Sequence, residues 1–418
     1  MANCPDREGF PLLPAVPGDV YREVVREIQA MQEDLVLWRR WMHQSPELAF
    51  QEVLTAEFIA RKLEDFGLTR ILRQVGATGV VGVIEGVRPG DVVAVRADMD
   101  ALPIQEIGGR SYGSRVNGQM HACGHDAHCA IALGTAGVLS RLRGLWPGTV
   151  KFLFQPAEEG SQDGGVSGAC RMIEDGALED PEPQVIYALH VMPSLEVGKF
   201  GCNRSAVWAG AERFLIHILG KKTHGAYPHT GVDPIPVAAE IILALQTIVS
   251  RQMDPRFPSV ITVGEIHGGN RDNIITDCVR LHGTVRSLKV GGCEEIRQRM
   301  TSLVERIAAA HGARAQLEFF PYAGVTMNHP SLAGRAAENL RSLFGLENVV
   351  DLPPQLGSED FSHFLEKIPG VYFLLGVANP EKGIQSMLHS ESFDLDEDAL
   401  LLGVKAMTCL VLDRLFQR

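Results

Sequence analysis

No apolar run in this chain reaches the ~18 residues needed to cross a bilayer. The opening residues, Met1-Ala-Asn-Cys-Pro-Asp-Arg-Glu8, lack the charged-then-apolar pattern of a signal sequence. Both absences lead to the expectation of a soluble protein of the cytoplasm, with no membrane partner. There is also no dense Lys/Arg run, and the net charge is −12, which argues against nucleic acid as a partner. The eight cysteines (Cys4, Cys123, Cys129, Cys170, Cys202, Cys278, Cys293 and Cys409) form no Cys-x-x-Cys pair and no visible disulfide framework. In a chain of this size that reads as a reduced compartment. Internal repeats and low-complexity segments are missing too. What remains is an ordinary globular balance spread over 418 residues, which is long for one core and implies two domains.

Periodicity sets out the elements. A Pro-rich leader, residues 1–19 with Pro11, Pro14 and Pro17, is expected to be poorly ordered. A helix is predicted from Val20 to Met42, with Val24, Ile28, Met31, Leu35 and Trp38 on one face. A second is predicted from Glu52 to Phe66, stopped by Gly67. Short apolar runs then read as buried strands: Val80–Ile84, Val92–Val95, Val150–Phe154, Val185–Leu189 and Val371–Leu375. Helical stretches such as His128–Leu142 alternate with them, so an α/β fold with a largely parallel sheet is expected. From about Val207 to Pro321 the texture changes to strand, helix, strand, strand, helix, strand. We read residues 207–321 as an inserted α+β domain, and residues 20–206 and 322–418 as a discontinuous metal-binding catalytic domain.

The chemistry is concentrated in a few short motifs. Met120-His-Ala-Cys-Gly-His-Asp-Ala-His128 places a Cys and several His within nine residues. Gln155-Pro-Ala-Glu-Glu-Gly160, Leu189-His190-Val191 and Leu388-His389-Ser390 add carboxylates and further imidazoles. This is the donor set of a borderline divalent metal, with more ligands than one tetrahedral ion requires. A two-metal hydrolytic centre follows. Cys123 is expected to bridge the ions, Glu159 and His389 to complete one, and His125 and His190 the other. An extended Cys123-Gly-His125 segment would put both side chains on one side, and the following helix N-terminus would favour a thiolate. The net positive charge left over would bind an anionic substrate and acidify a water. Of the adjacent pair Glu158 and Glu159, one is expected to hold a metal and the other to carry a proton from water to a leaving amine. Asp98 and Asp100, after their strand, deliver carboxylates to the same sheet edge, where sites of open α/β sheets form. His121 and His128 read more readily as supporting residues than as ligands. In the inserted domain, the loop Gly220–His229 carries His224 and His229. These, with Asn273 and Arg286, read equally well as surface polar residues.

Taken together, Arg96-Ala-Asp-Met-Asp-Ala-Leu-Pro103, the Met120–His128 run, Gln155-Pro-Ala-Glu-Glu-Gly160, Gly357-Ser-Glu-Asp-Phe361 and Leu388–Glu397 resemble the binuclear metallo-aminoacylases. These include hippurate hydrolase and the auxin–amino-acid conjugate hydrolases, relatives of carboxypeptidase G. The likeness runs from about Asp34 to Leu412. It implies a zinc-peptidase-like catalytic domain with a ferredoxin-like satellite domain that forms a homodimer, or a higher homo-oligomer. It implies metal ligands at Cys123, His125, Glu159, His190 and His389, and Glu158 as general acid/base. It also implies that His224 polarises the scissile carbonyl, usually from the partner subunit. Asp100 matches an acidic residue that orients a ligand, and Asp98 is left as a supporting group. Relatives usually carry Asn-Val-Ile-Pro where this chain has Asn273-Ile-Ile-Thr276. The implied cofactors are two divalent ions, zinc, manganese, cobalt or nickel. The expected activity is hydrolysis of a small N-acyl-L-amino acid to a carboxylic acid and an amino acid. A dipeptidase or carboxypeptidase on the same centre, and a catalytically silent binding module, are the alternatives.

Overall fold

The computed structural model describes residues 13, 15–160 and 166–417. Most of the expected leader, residues 1–12 and 14, lies outside them. The chain divides into two compact units. One comprises residues 1–205, 328–353 and 363–418, the other residues 206–327 and 354–362.

The first unit is built on an eight-stranded sheet. Its order is Arg70–Val75, Gly79–Glu85, Thr149–Gln155, Val92–Asp98, Val185–Glu196, Gly370–Ala378, Phe200–Gly201 and Val349–Val350. The middle four strands are mutually parallel, Gly79–Glu85 is antiparallel to both of its neighbours, and Phe200–Gly201 is antiparallel to Gly370–Ala378. The parallel strands are buried almost throughout, which is why they read as unbroken apolar runs. The helices His125–Arg141 and Asp398–Phe416 are apolar nearly all round because they lie within the core.

Three elements differ from the sequence expectation. The predicted helix Val20–Met42 is two helices, Gly18–Gln29 and Gln32–Gln44, separated at Ala30-Met31. The apolar stripe hides the break, since Val24, Ile28, Met31, Leu35 and Trp38 are all buried on both sides of it. The edge strand Arg70–Val75 was not foreseen, because Arg70, Arg73 and Gln74 interrupt its apolar residues and Leu72 to Gln74 are exposed. The helix expected at His128 begins at His125.

In the second unit, four antiparallel strands lie in the order Ser259–Gly268, Cys278–Ser287, Gly210–Leu219, Arg314–Ala323. With the helices Pro234–Thr247 and Gly292–Ala310 between them in sequence, this is the βαββαβ ferredoxin-like arrangement. Val237, Ile241 and Leu245 pack with Ile296, Met300 and Val304 in one core over the sheet. Pro234–Thr247, together with the turn after it, is long and apolar enough to cross a membrane by length and composition. Here its apolar face belongs to that core. The unit extends to Met327, beyond the expected boundary at Pro321, because Thr326–Met327 pairs with Ala206–Trp208. It also takes in residues 354–362, whose loop is held by Arg286.

The first unit carries a buried ionic cluster with no hydropathy signature. Arg39, with no exposed surface, donates to Asp126 at 2.8 Å, Asp394 at 3.2 Å and Glu397 at 3.3 Å. Burial alone would lower its affinity for the proton, but the three carboxylates outweigh that and hold it charged. Asp126 also accepts from His43 Nδ1 at 2.7 Å. Arg39→Ala would leave Asp126 buried without its main counter-charge, so we predict a loss of about 3–5 kcal/mol. Urea denaturation measures it. A loss under ~1 kcal/mol, the scale of an exposed pair, would show that the cluster holds nothing together.

Candidate metal centre

One strand, one helix start and three loop positions deliver the expected donors to one place in the first unit. The ligand atoms of Cys123, His125 and His190 lie within 4.8 Å of one another, as do those of Cys123, Glu159 and His389. The two groups share Cys123. His125, Glu158 and Glu159 form a third such group.

Each donor is placed by a local cause. His190 lies within the long strand Val185–Glu196, not at its end as expected. Pairing with Val92–Asp98 stops at Ala188, so His190 is the second residue beyond that neighbour's cover. Its Nδ1 donates to Val191 O at 2.7 Å, which leaves Nε2 as the lone-pair nitrogen, 3.4 Å from Cys123 Sγ. His125 Nδ1 donates to Asp100 O at 2.9 Å, with Asp100 Oδ1 at 3.2 Å. Its Nε2 is fully buried and has no hydrogen-bond partner among the described residues. An imidazole nitrogen left bare beside a thiol, a second imidazole and carboxylates is what a divalent metal site requires. His389 has φ +61°, and its amide donates to Ala122 O at 2.8 Å, next to Cys123. Its Nε2 is 3.1 Å from Glu159 Oε1.

Cys123 and His125 do not lie on one extended segment. Gly124 between them is left-handed, φ +88°, and His125 is the first residue of its helix. The helix N-terminus does not by itself make Cys123 a thiolate. Burial, then Glu159 and Glu158, push the thiol well above its ordinary range. His125 responds in the opposite sense. Burial would lower it, but Asp98 and Asp100 push it up to about 10. His190 is held neutral, chiefly by burial and then by His128. A divalent cation supplies the charge that would let Cys123 lose its proton and His125 offer Nε2.

Asp98 and Asp100 are both engaged in hydrogen bonds with their surroundings. Asp98 accepts from Arg96 at 2.7 Å, and Asp98 Oδ1 lies 2.6 Å from His128 Nδ1. His128 Nε2 accepts from Val191 N at 3.0 Å, so both ring nitrogens are engaged and this residue orients the His190 strand. Asp100 Oδ1 and Oδ2 accept from the amides of Glu158 and Glu159, each at 3.0 Å. His121 is buried with neither nitrogen hydrogen-bonded among the described residues, and burial pushes it down to about 4.

The other expected residues belong to the second unit. His224 is exposed, in a two-residue strand paired with Ile274-Ile275, and Asn273 O accepts from Gly225 N at 2.8 Å. His224 Nδ1 accepts from Ala226 N at 3.0 Å, which leaves Nε2–H as a donor. His229 is exposed in the short turn Pro228–Thr230. Arg286 is not a free surface group: it donates to Leu356 O at 3.0 Å and Ser358 Oγ at 3.2 Å. Sequence reasoning missed Arg39, His43, Asp126 and Glu52. Arg39 and His43 did leave a trace, as charged residues at positions of the buried stripe through Leu35, Trp38 and Met42.

Residues 94–413 match the model of peptidase family M20/M25/M40. The chain belongs to this family. It is 37% identical to thermostable carboxypeptidase 2 of Saccharolobus solfataricus, over 94% of this chain and 98% of the relative. It is also 37% identical to N-acetylcysteine deacetylase of Bacillus subtilis, over 90% and 95%. The crystal structure of a dinuclear metal-binding M20 peptidase from Bacillus subtilis superposes with a TM-score of 0.80 at 35% identity, covering 93% of this chain and 99% of that one. The M20 chain described here is therefore a metal-dependent hydrolase of amide bonds, and its two overlapping donor groups fit a dinuclear centre.

Gly124 gives a direct test of this geometry. A Cβ there would meet Val191 Cγ2 at 2.3 Å, and the left-handed backbone disfavours any side chain. We predict that Gly124→Ala costs about 2–5 kcal/mol in stability and loses bound metal. Adding Val191→Ala should return the steric part only. Full metal content and unchanged melting in the single variant would contradict the assignment.

Proposed function

We propose that this M20 enzyme hydrolyses the amide of N-acyl-L-amino acids, releasing a carboxylic acid and an amino acid. The observation that carries the reading is Glu158, a buried carboxylate beside His125 and Glu159 whose position is fixed through its own amide. The proposed ligands are Cys123 shared between two ions, His125 and His190 on one, Glu159 and His389 on the other. Zinc, manganese, cobalt or nickel suits this mixed donor set. Bound there, two divalent cations supply Lewis acidity toward the scissile carbonyl and toward the attacking water.

The rest is the work of the chain's own residues. Glu158 Oε2, 4.0 Å from His125 Nε2, is placed to take a proton from water entering the centre and to return it to the leaving amine. Asp100 holds His125 in the tautomer that points Nε2 inward, and Asp98 does the same for His128 behind His190. His224, with Nδ1 committed to Ala226 N, presents Nε2–H as the donor for a developing oxyanion. We assign this donor to the other subunit of a homodimer, since His224 is exposed on the second unit and two-fold dimers are the commonest closed homo-oligomers. His229 and Asn273 are proposed to shape the substrate side of the same loops, and Arg286 to support it from the strand Cys278–Ser287 through the loop it holds at Leu356 and Ser358. The likeness to a carboxypeptidase keeps peptide cleavage as the second reading. Release of amino acid from N-acetyl and N-benzoyl amino acids, compared with free dipeptides and with each metal, separates the two.

Glu158→Gln should keep its metals and lose on the order of 10²–10⁴ in kcat, because the amide cannot accept the proton of water. Near-normal turnover with intact metal content would refute the base. His224→Ala should lose ~10²–10³ in kcat while holding its metals. Mixing it with Glu158→Gln should recover activity, because one site of each mixed dimer then has both groups. If subunits exchange and the mixture stays inactive, His224 does not act across the dimer.

A further inference from the structure

The turn that carries Glu158 and Glu159 is held in an unusual way. After Pro156, which has no N–H, three consecutive amides all donate to carboxylate oxygens. Ala157 N reaches Glu52 Oε1 at 2.9 Å, and Glu158 N and Glu159 N reach the two oxygens of Asp100, each at 3.0 Å. Ala157 is left-handed, φ +51°, a conformation that alanine disfavours. Successive amides turned to one side form a cradle for an anion. Here the anions are two of the chain's own side chains.

Asp100 belongs to a motif already tied to the centre. Glu52 comes from elsewhere, immediately before the helix Val53–Asp65. A negative charge at that position would be favoured facing the amides of its own helix start, but this side chain makes no cap hydrogen bond there. Glu47 does so instead, accepting from Leu54 N at 3.0 Å and Thr55 N at 2.8 Å. Glu52 thus points away from its helix, fully buried, with Thr78 Oγ1 donating to its second oxygen at 2.5 Å. The arrangement is costly. Burial, then the charge of Asp100, push Glu52 up to about 7, and two buried acids at one turn repel unless something holds them. Packing alone would be served by an apolar side chain.

We infer that Glu52 is a positioning residue for the reaction: by holding the Ala157 amide, it sets the turn that aims the Glu158 carboxylate. This rests on the reading of Glu158 as the base. Asp100 fixes the two residues that act, and Glu52 fixes the strained residue before them. Without it, the left-handed Ala157 has no acceptor and the turn can relax toward an ordinary conformation.

The test uses the full-length, metal-loaded enzyme and the N-acyl amino acid it turns over fastest. Glu52→Leu keeps the bulk and removes the acceptor. We expect kcat to fall on the order of 10²-fold, the scale of a small misplacement of a reacting group, with KM and metal content unchanged. Hydrogen exchange at residues 157–159 should speed up. Glu52→Gln keeps an acceptor for Ala157 N and should restore most of kcat, which a general packing role does not predict. Wild-type kcat in Glu52→Leu overturns the inference. If Glu52→Leu does not fold, Thr78→Val decides, since it only frees Glu52 to turn. A severalfold lower kcat at unchanged KM and melting temperature supports the inference, and an unchanged kcat overturns it. Glu158→Gln is run alongside. If that variant stays active, the assignment of the base has failed, whatever Glu52 does.

Discussion

Five carboxylates converge in the first unit: Glu52, Asp98, Asp100, Glu158 and Glu159, with the Cys123 thiol among them. Four of the five are buried, and Glu159 nearly so. Removing that much negative charge from water is unfavourable unless something positive answers it. Each group has a different answer. Burial alone would raise Asp98, but His125, His128 and then Arg96 hold it well below the usual carboxylate range. Backbone amides and His125 answer Asp100, and His389 answers Glu159. Glu52 is only partly answered, which is why it rises. Cys123 is raised by burial and by the neighbouring Glu159 and Glu158, and the Nε2 of His125 has no hydrogen-bond partner among the described residues. A divalent cation held where the two donor groups overlap would answer both.

That constraint explains features that hydropathy does not. The left-handed Gly124 lets the chain turn from Cys123 into a helix without carrying His125 away from the cluster. The strand Val185–Glu196 outruns its neighbour so that His190 can face the site while still paired with Gly370–Ala378 on the other side. His389 accepts a left-handed backbone to bring its ring back beside Cys123. Distortions of this kind gather where function over-determines the structure.

Much of this was legible in the sequence. The five apolar runs became the parallel strands and one antiparallel neighbour, the inserted segment became its four strands and two helices, and the expected donors share one cluster. Those signals survive because burial and ligand chemistry restrict residue type at fixed spacing. Other features left no such mark. The break at Ala30-Met31 is silent because the stripe Val24, Ile28, Leu35, Trp38 continues across it. The strand Arg70–Val75 is silent because an edge strand need not be apolar. The turn before His125 is invisible to a period-two reading, since a single left-handed glycine cancels the alternation. Contacts from side chain to backbone are the hardest of all. Nothing in the residues around Glu52 says that its partner is an amide one hundred and five positions away.

Arg39 shows the same point from behind the site. The helix that starts at His125 begins with His-Asp, and the acid Asp126 in that first turn is favourable there in its own right, accepting from the Ala127 amide. Its other oxygen meets Arg39 and His43. The helix start is therefore gripped on two sides: His125 by Asp100 in front, Asp126 by Arg39 behind. An apolar grip would leave the first turn free to rotate by the width of a side chain, because dispersion contacts are not directional. Hydrogen-bonded ions fix both distance and angle. For a residue proposed to offer its Nε2 to a metal, that directionality is the more useful property, and it accounts for a buried arginine that stability alone would not select.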